Sequence, residues 1–584
     1  MKAWSAAVAA SIVAGALHLV SVPRTLWEYD EHLFAMAVER YEPLQHHPPP
    51  PGAPIYIGFA KLVAFLTPDA FHALVVTSLI FLAIGFAAWV LAFREIAGDI
   101  HTAATGALLL YASPAVLVSG TLPQSDTGAL ALFGLAAWAA ARRNMVATAL
   151  LCAAAVGWRP QIAVAPVVLF AVAVVFARSW RERLIGVAVF GIACLAWLIV
   201  PVVATGGPLG YWHWLTSQAA DFAAHDARLS RSGSSAAGLA GRFIAHPWGR
   251  KWLAWPLLAA AAAGVWVWVS TKTDRPRRLA SIPLAAGSLA YLAFALSSMD
   301  PADAVRYAIP SLPLVAVLAA MALNRVPFLP LAALLYAGGA YAYTSPALRP
   351  RAHSPSPPTA AAEWIEAHVP KNAIILYDPS LGPHASDLLR DYTRMGVDAG
   401  LAAYSADPAR PLVLYTDGGL GESKGVSFRW PDADACRKLT RRHYGVISVI
   451  PVPAAERFRV IEGVFAPERT RDGRAWRWIG AHGVIELPDL GAHEARLVFR
   501  TPPLYPFPGN RVRVDVTGAG GPVFAVLPRT GDGEVRVPLP PGRARITIAP
   551  ERTFVPALVP GSRNRDERTL SVMLTRVEQL VPPR

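Results

Sequence analysis

The stretch 70–93, AFHALVVTSLIFLAIGFAAWVLAF, decides what kind of protein this is. It contains no Asp, Glu, Lys or Arg, and its one ionisable side chain is His72. About 20 apolar residues carry a helix across a bilayer. A run this long and this free of charge therefore reads as a membrane span. The same ruler, moved outward along the chain, finds roughly eleven spans. They lie near 3–22, 70–93, 102–119, 126–141, 145–157, 160–177, 184–205, 252–271, 279–297, 305–323 and 326–344. The span 145–157 is short, and with 160–177 it suggests a tight or re-entrant pair around Gly157-Trp158-Arg159-Pro160. Residues 54–67 are apolar but too short, and read as a helix at the interface. Residues 1–22 have the look of a signal peptide, but so many apolar segments follow that an uncleaved first helix is expected.

Composition sets the outer bounds. The 584 residues are 54% hydrophobic and only 16% charged, with mean hydropathy +0.36, whereas soluble domains average about 25% charged. The charge deficit is confined to residues 1–345, and 350–584 look like ordinary soluble protein. The expected class is thus an α-helical polytopic membrane domain followed by an α/β unit and a C-terminal β-sandwich. The expected boundaries are 1–345 for the membrane domain and 346–358 for a proline-rich linker, read from RPRAHSPSPP at 349–358. They continue with 359–454 for the α/β unit and 455–584 for the sandwich. In the α/β unit, AAEWIEAHVP, SDLLRDY and CRKLTRRHY read as helices and AIILYD, PLVLYTD and VISVIPV as strands. After 456 short alternating segments such as ARLVFRTP and RVRVDVTG follow one another with turn residues between them.

The formal net charge of +14 fits basic loops against anionic lipid head groups. No basic aromatic patch or nucleic-acid motif is present, so no nucleic-acid partner is expected. Cys152 and Cys194 sit in apolar runs and Cys436 stands alone, so neither a disulfide framework nor a zinc spacing is read. Alternating the spans from a cytoplasmic N-terminus puts Arg94, Arg142, Arg143, Arg178, Arg181, Arg183, Lys272, Arg275, Arg277, Arg278 and Arg325 inside. The short outer loops hold only Arg24, Arg40, Arg159 and Arg306, and the long outer loop 206–250 adds Arg228, Arg231, Arg242 and Arg250. An odd number of spans then places the C-terminal region outside, in an inner (plasma) membrane of bacterial type.

The first outer loop, RTLWEYDEHLFAMAVERYEPLQHHPPPPGAP at 24–54, is the densest cluster of chemistry. Asp30 and Glu31 stand beside the bilayer, where carboxylates are costly unless solvated, paired or metal-bound. HLFAMAVERY has helical apolar spacing and could lie along the membrane surface. His46 and His47 enter a stiff proline run. A carboxylate beside a hydroxyl can take its proton as that hydroxyl attacks an electrophile. A second carboxylate or a histidine could hold a divalent cation, Mg or Mn, against a phosphate leaving group. Asp126, in SGTLPQSDTGALALF, reads either as a second acidic or metal site with His47 or, with Ser125, as a helix cap. Arg159 and Arg306 suit bidentate phosphate contacts, or snorkel to the interface. His213, His225 and His246 lie in the loop 206–250 with the interface aromatics Trp212 and Trp214. Trp476 and Trp478 share one strand face and read either as a sugar platform or as core.

The carboxylate pair, the helix after it and the His/Pro turn resemble the polyprenyl-phosphate-sugar-dependent membrane glycosyltransferases, among them the protein O-mannosyltransferases and the aminoarabinose transferases. Those enzymes carry an Asp-Glu pair in the first extracytoplasmic loop, matched by Asp30-Glu31. Where the aminoarabinose enzymes have Lys-Pro-Pro, this chain has His47-Pro48-Pro49. VRYAIPSLP, with Arg306-Tyr307, is similar to their Arg-Tyr-Pro element. The resemblance covers about residues 1–345 and implies a mechanism. A polyprenyl-phosphate sugar enters from the bilayer, and Asp30 takes the proton of an acceptor hydroxyl that displaces the lipid phosphate with inversion. Glu31 positions the acceptor or assists a metal, and Arg159, Arg306 and Tyr307 hold the phosphate. The acceptor is a glycan, lipid or protein of the cell envelope. Asp566-Glu567-Arg568-Thr569-Leu570 is similar to an element near the last strand of β-sandwich domains appended to bacterial glycosyltransferases, which implies carbohydrate binding. A lipid-linked-glycan transporter or flippase is the alternative, but transporters place ionisable residues near the bilayer midplane and these spans are almost free of charge. A mere membrane anchor needs one helix.

Overall fold

The computed structural model describes residues 2–221, 235–270, 275–325, 329–397, 410–421, 423–431, 439, 444–469, 474–529, 531–562, 564 and 566–580. His225, Arg228, Arg231, Lys272, Cys436 and most of the helix expected over CRKLTRRHY lie outside the described residues. The chain divides into a helical unit, Met1–Ser356 with Pro431–Arg442, and a strand-rich unit, Pro357–Trp430 with His443–Arg584.

The first unit opens with helices α1 (Lys2–Leu19), α2 (Tyr29–Glu39), α3 (Pro54–Ala64) and α4 (Ala70–Ala97). It continues with α5 (Ile100–Tyr111), α6 (Pro114–Ser119), α7 (Asp126–Ala141) and α8 (Met145–Trp158). Then come α9 (Val164–Val175), α10 (Trp180–Ala204) and α11 (Pro208–Asp221). Short polar side chains start several of these helices. The carboxylates of Asp69 and Asp99 accept from the N–H of His72 and Thr102, and Asn144 and Ser179 cap α8 and α10 likewise. Gly98 ends α4 at φ +86°, in the left-handed region where a side chain would be strained.

Among the described residues, four helices are by themselves long and apolar enough to cross a membrane: Ala70–Ala97, Trp180–Ala204, Lys251–Ser270 and Arg277–Ser298. A fifth arises if Pro301–Tyr307 and Ile309–Leu323, bent by 44°, count together. This differs from the roughly eleven spans expected from hydropathy. Hydropathy counts apolar residues, whereas the backbone divides some of those runs. The run 102–119 breaks before Pro114, and 160–177 begins with a 3-10 turn at Pro160–Ile162.

Two further expectations are corrected. The helix over HLFAMAVERY does not lie on a surface, because every residue from Glu31 to Val38 is buried. Its polar members are few, and they find partners inside the unit. The stretch 349–358 is no extended linker, because the helix Leu329–His353 runs through Pro346 and Pro350. The Pro350 carbonyl still accepts from the Ser354 N–H, so the helical path survives the missing donor.

The second unit begins with the helix Pro357–His368 and a five-stranded sheet. Its strands are β1 (Ile374–Tyr377), β2 (Thr393–Gly396), β3 (Leu412–Asp417), β4 (Val426–Arg429) and β5 (Val446–Pro451), in the order β2-β1-β3-β5-β4. β1 runs parallel to β2 and β3, and the other pairs are antiparallel. Ala361, Ala362 and Ile365 of the helix pack on Ile375, Tyr415 and Val449 of the sheet.

Eight antiparallel strands follow: β6 (Arg459–Arg469), β7 (Ala475–Leu487), β8 (Glu494–Arg500), β9 (Asn510–Val516), β10 (Val523–Leu527), β11 (Asp532–Pro538), β12 (Ala544–Pro550) and β13 (Met573–Gln579). Strict alternation over ARLVFR and NRVRVDV turns Leu497, Phe499, Val512 and Val514 into one buried core. The expected sandwich would be two packed sheets. Here the strands hydrogen-bond as one sheet, in the order β10-β9-β12-β7-β13-β8-β11 with β6 on β7. Its end strands β10 and β11 lie against each other, so the sheet rolls around its core.

Candidate functional site

Four charged side chains from distant parts of the first unit form a continuous chain. Asp126 stands at the first position of α7 and is buried. Its Oδ2 accepts from Arg159 Nη1 at 2.9 Å and from Arg306 Nε at 2.9 Å. Arg159 Nη1 also donates to Ser125 Oγ at 2.9 Å. Arg306 Nη1 then reaches Asp30 Oδ2 at 3.1 Å. The order is Asp30, Arg306, Asp126, Arg159, alternating in sign with no net charge. Removing such charges from water costs several kcal/mol per ion, and close alternation with well-made hydrogen bonds offsets that.

The local sequence explains each placement. Pro160 disfavours helical backbone at the residue before it. α8 therefore ends at Trp158, and Arg159 sits at φ −146° as its C-cap. Two residues beyond Asp126, Gly128 lets Trp158 come into contact. A Cβ there would lie 2.2 Å from Trp158 Cε2. The absent side chain is what brings the ends of α7 and α8 close enough for Asp126 to meet Arg159. Arg306 sits on the short helix Ala304–Tyr307, just before the bend at Ile309–Ser311.

Asp30 and Glu31 are adjacent but differently placed. Asp30 keeps 35% of its side chain exposed. Glu31 is fully buried, and it accepts from the Trp27 N–H at 2.7 Å and from Gln124 Nε2 at 3.2 Å. Burial pushes its carboxyl above the usual carboxylate range. Glu31 is therefore a strut of the fold rather than a group open to a substrate. Glu28, one turn earlier, lies 3.6 Å from Arg351, and burial pushes its carboxyl up to about 8 while Arg351 pulls the other way. Sequence reasoning passed over Glu28, Gln124 and Arg351, since none stands in a recognisable motif.

Asp126, Arg159, Arg306 and Tyr291 line one part of a small cavity of about 10 Å³, and Leu130, Phe133, Ile162, Ile309 and Pro310 line the rest. Charged groups beside apolar walls suit an amphiphile with an anionic head. His47 is not in this constellation. Its backbone pairs with Glu42 in the turn before the proline run. That run is tied down by Gln161 Nε2 on the Pro50 carbonyl at 3.1 Å and by Tyr41 OH on the Gly52 carbonyl at 3.0 Å. Tyr307 is half-buried beside Arg306. Among the described residues no three His, Cys, Asp or Glu are grouped to hold a metal ion, and the Asp126 carboxylate is occupied by two guanidiniums. The donor set does not fit a resident divalent cation.

In the second unit, Trp478 Nε1 donates to Glu468 Oε2 at 3.1 Å, and its ring meets Phe554 in a small cluster with Tyr505 and Leu570. Trp476 is half-buried. Arg568 bridges Asp566 at 2.5 Å and Glu468 at 2.6 Å, over the Phe465 ring.

No family model matches the chain, and no curated protein matches it by sequence. Among solved structures, it shares its fold with ArnT from Cupriavidus metallidurans bound to undecaprenyl phosphate. That likeness has 14% identity and a TM-score of 0.50, over 76% of this chain and 97% of that one. Arabinofuranosyltransferase AftD from Mycobacteria aligns at 12% identity and a TM-score of 0.44, over 99% of this chain and 59% of that one.

Proposed function

We propose that this chain is an integral membrane glycosyltransferase that moves a sugar from a polyprenyl-phosphate donor to a cell-envelope acceptor. The observation that carries the reading is the alternating chain Asp30–Arg306–Asp126–Arg159, three of whose members, Arg306, Asp126 and Arg159, line a cavity with apolar walls. The shared fold with ArnT, whose structure holds undecaprenyl phosphate, supports a lipid phosphate as the ligand. The reaction runs on the extracytoplasmic side of a bacterial inner membrane, with the second unit on that side and the shorter helices completing about eleven crossings. The rolled β-sheet would meet the carbohydrate of the acceptor, Trp476 being better placed than Trp478, whose ring and N–H are engaged within the unit.

The geometry suggests how the steps connect. Asp126 is the fixed anion that holds both guanidiniums in place. Arg306 divides its donors between Asp126 and Asp30. An arriving lipid phosphodiester competes for Arg306 with its two non-bridging oxygens, and bidentate arginine contacts favour it. Asp30 is thereby freed just when donor is bound, and accepts the proton of the acceptor hydroxyl as that oxygen forms the new glycosidic bond. The bond from the sugar carbon to the lipid phosphate oxygen breaks, and Arg159 and Arg306 receive the charge on the departing phosphate.

The test uses purified full-length protein with a panel of polyprenyl-phosphate sugars and cell-envelope acceptors, reading the release of polyprenyl phosphate. Asp30→Asn should lower turnover roughly 10²–10⁴-fold with donor binding retained. A wild type that releases no polyprenyl phosphate from any donor overturns the transferase reading, and it supports a flippase if the lipid crosses proteoliposomes intact. Full activity in Asp30→Asn overturns the base assignment.

A further inference from the structure

Residues 24–28, just ahead of Asp30, are stitched to residues 351–356 at the end of the long helix Leu329–His353. The Arg24 N–H donates to the Arg351 carbonyl at 3.0 Å. The Ser356 N–H donates to Thr25 Oγ1 at 2.9 Å, and Arg24 Nη1 reaches the His353 carbonyl at 3.4 Å. At the centre is Arg351, 1% exposed. Its Nη1 donates to the Val118 carbonyl at 3.0 Å, its Nη2 lies 3.6 Å from Glu28 Oε1, and its guanidinium stands over the Trp27 ring at 5.9 Å. One buried cation thus touches the segment leading into α2, on which Asp30 sits, and the carbonyl of Val118 in α6.

A cation this deeply buried is costly to keep, and none of these contacts belongs to the phosphate cavity. Truncating it would leave the Glu28 carboxyl without the charge that opposes its burial. The segment is held on either side as well, by Thr121 Oγ1 on the Ser21 carbonyl at 3.1 Å before it and by Gln124 on Glu31 after it. Between those two fastenings Asp30 has little freedom, and it reaches Arg306 at 3.1 Å.

Resting on the transferase reading, we propose that Arg351, with Glu28, is a positioning residue: it fixes the segment 24–30 so that Asp30 faces the acceptor hydroxyl. A shift of about 1 Å in a reacting group costs up to about 10²-fold in rate. The arginines that meet the phosphate are separate side chains, so donor binding should not depend on Arg351.

The experiment compares full-length wild type with Arg351→Gln, Arg351→Lys and Glu28→Gln in lipid nanodiscs, with two readouts. The first is amide hydrogen exchange, which needs no substrate. Protection over 24–31 should fall in Arg351→Gln and Glu28→Gln and remain at the wild-type level over α4 and α7. Wild-type protection over 24–31 in both variants overturns the proposal, and so does a loss spread evenly over the whole helical unit. The second is turnover of the lipid-phosphate donor. kcat should fall about 10–100-fold with donor KM within about twofold, and Arg351→Lys should recover part of kcat because it restores the charge without the planar fork. An unchanged kcat, or a change confined to KM, overturns it. If the wild type turns over no donor while the exchange pattern is as expected, the fastening of the loop stands and the transferase reading falls.

Discussion

Two arginines in this molecule make the same contacts in opposite surroundings. Arg306, in the helical unit, joins Asp30 to Asp126. Arg568, in the strand-rich unit, joins Asp566 to Glu468. The helical-unit arginine keeps 15% of its side chain exposed and its inner partner 4%, against 37% and 36% for Arg568 and Glu468. At an effective dielectric constant near 20 a pair at 4 Å is worth about 4 kcal/mol, and in water about 1. Exposed pairs measured one at a time contribute about 0.2–1 kcal/mol. Identical chemistry therefore does different work. The exposed bridge clasps two neighbouring segments, while the buried chain is expensive to assemble and repays that cost only if the charges are used.

The comparison breaks most visibly at Asp126. Replacing it by Ala leaves two guanidiniums facing each other with Asp30 as their one carboxylate in the chain. Removing one partner of a buried ion pair costs about 3–5 kcal/mol. Asp126→Ala should lose thermal stability in detergent by that order and all measurable turnover. Asp126→Asn, which keeps an acceptor oxygen, should recover part of the stability and little of the activity. A variant as stable as wild type by thermal unfolding would show that the chain is not under electrostatic load.

The members of that chain could be read from the sequence, but their partnership could not. Asp30, Asp126, Arg159 and Arg306 stood out because charges are rare beside apolar spans, and counting spans put all four on one side. Which would pair depends on the Gly128–Trp158 contact and on the turn at Pro160, and no periodicity reports such packing. Glu31 looked equal to Asp30 because a sequence gives neighbours equal standing. A helix, however, turns about 100° per residue, and here that sends one carboxylate to Arg306 and the other into the protein. Arg351 was hidden for a different reason. It lies in a proline-rich stretch, and composition reads such a stretch as a spacer. The strands of the second unit were legible through their alternation, but alternation does not say whether strands close into two sheets or one.

The exposed bridge gives the smaller effect. Arg568→Met should shift the thermal midpoint by no more than about 1 kcal/mol of stability, and raising salt should narrow the gap between variant and wild type. The ring of Phe465 under Arg568 keeps its apolar cover in the methionine variant, so packing is held nearly constant. A loss as large as that of Asp126→Ala would mean that the clasp holds the last strand β13 in place, and the contrast between the two arginines would disappear.

A third arrangement shows no arginine partner among the described residues, and it tests whether burial or pairing sets the behaviour of a carboxylate here. Asp417 ends β3 close to Asp378, whose Oδ2 accepts from Thr416 Oγ1 and from the Asp417 N–H at 3.0 Å. Burial first, and then the neighbouring Asp378 charge, push the Asp417 carboxyl up to about 6, and a hydrogen bond from the Tyr444 backbone only partly opposes them. The sign follows from linkage. The folded state favours the protonated acid, so this contribution is complete below the ordinary value of 3.8 and is lost as pH rises toward about 6. Amide protection in β3 of the full-length protein, corrected for intrinsic exchange, should fall between about pH 4 and pH 6 and level off above. Asp417→Asn should flatten that fall. Protection that rises with pH instead would mean that a cation reaches Asp417 in solution, and the carboxylates of the two units would then obey the same rule of pairing.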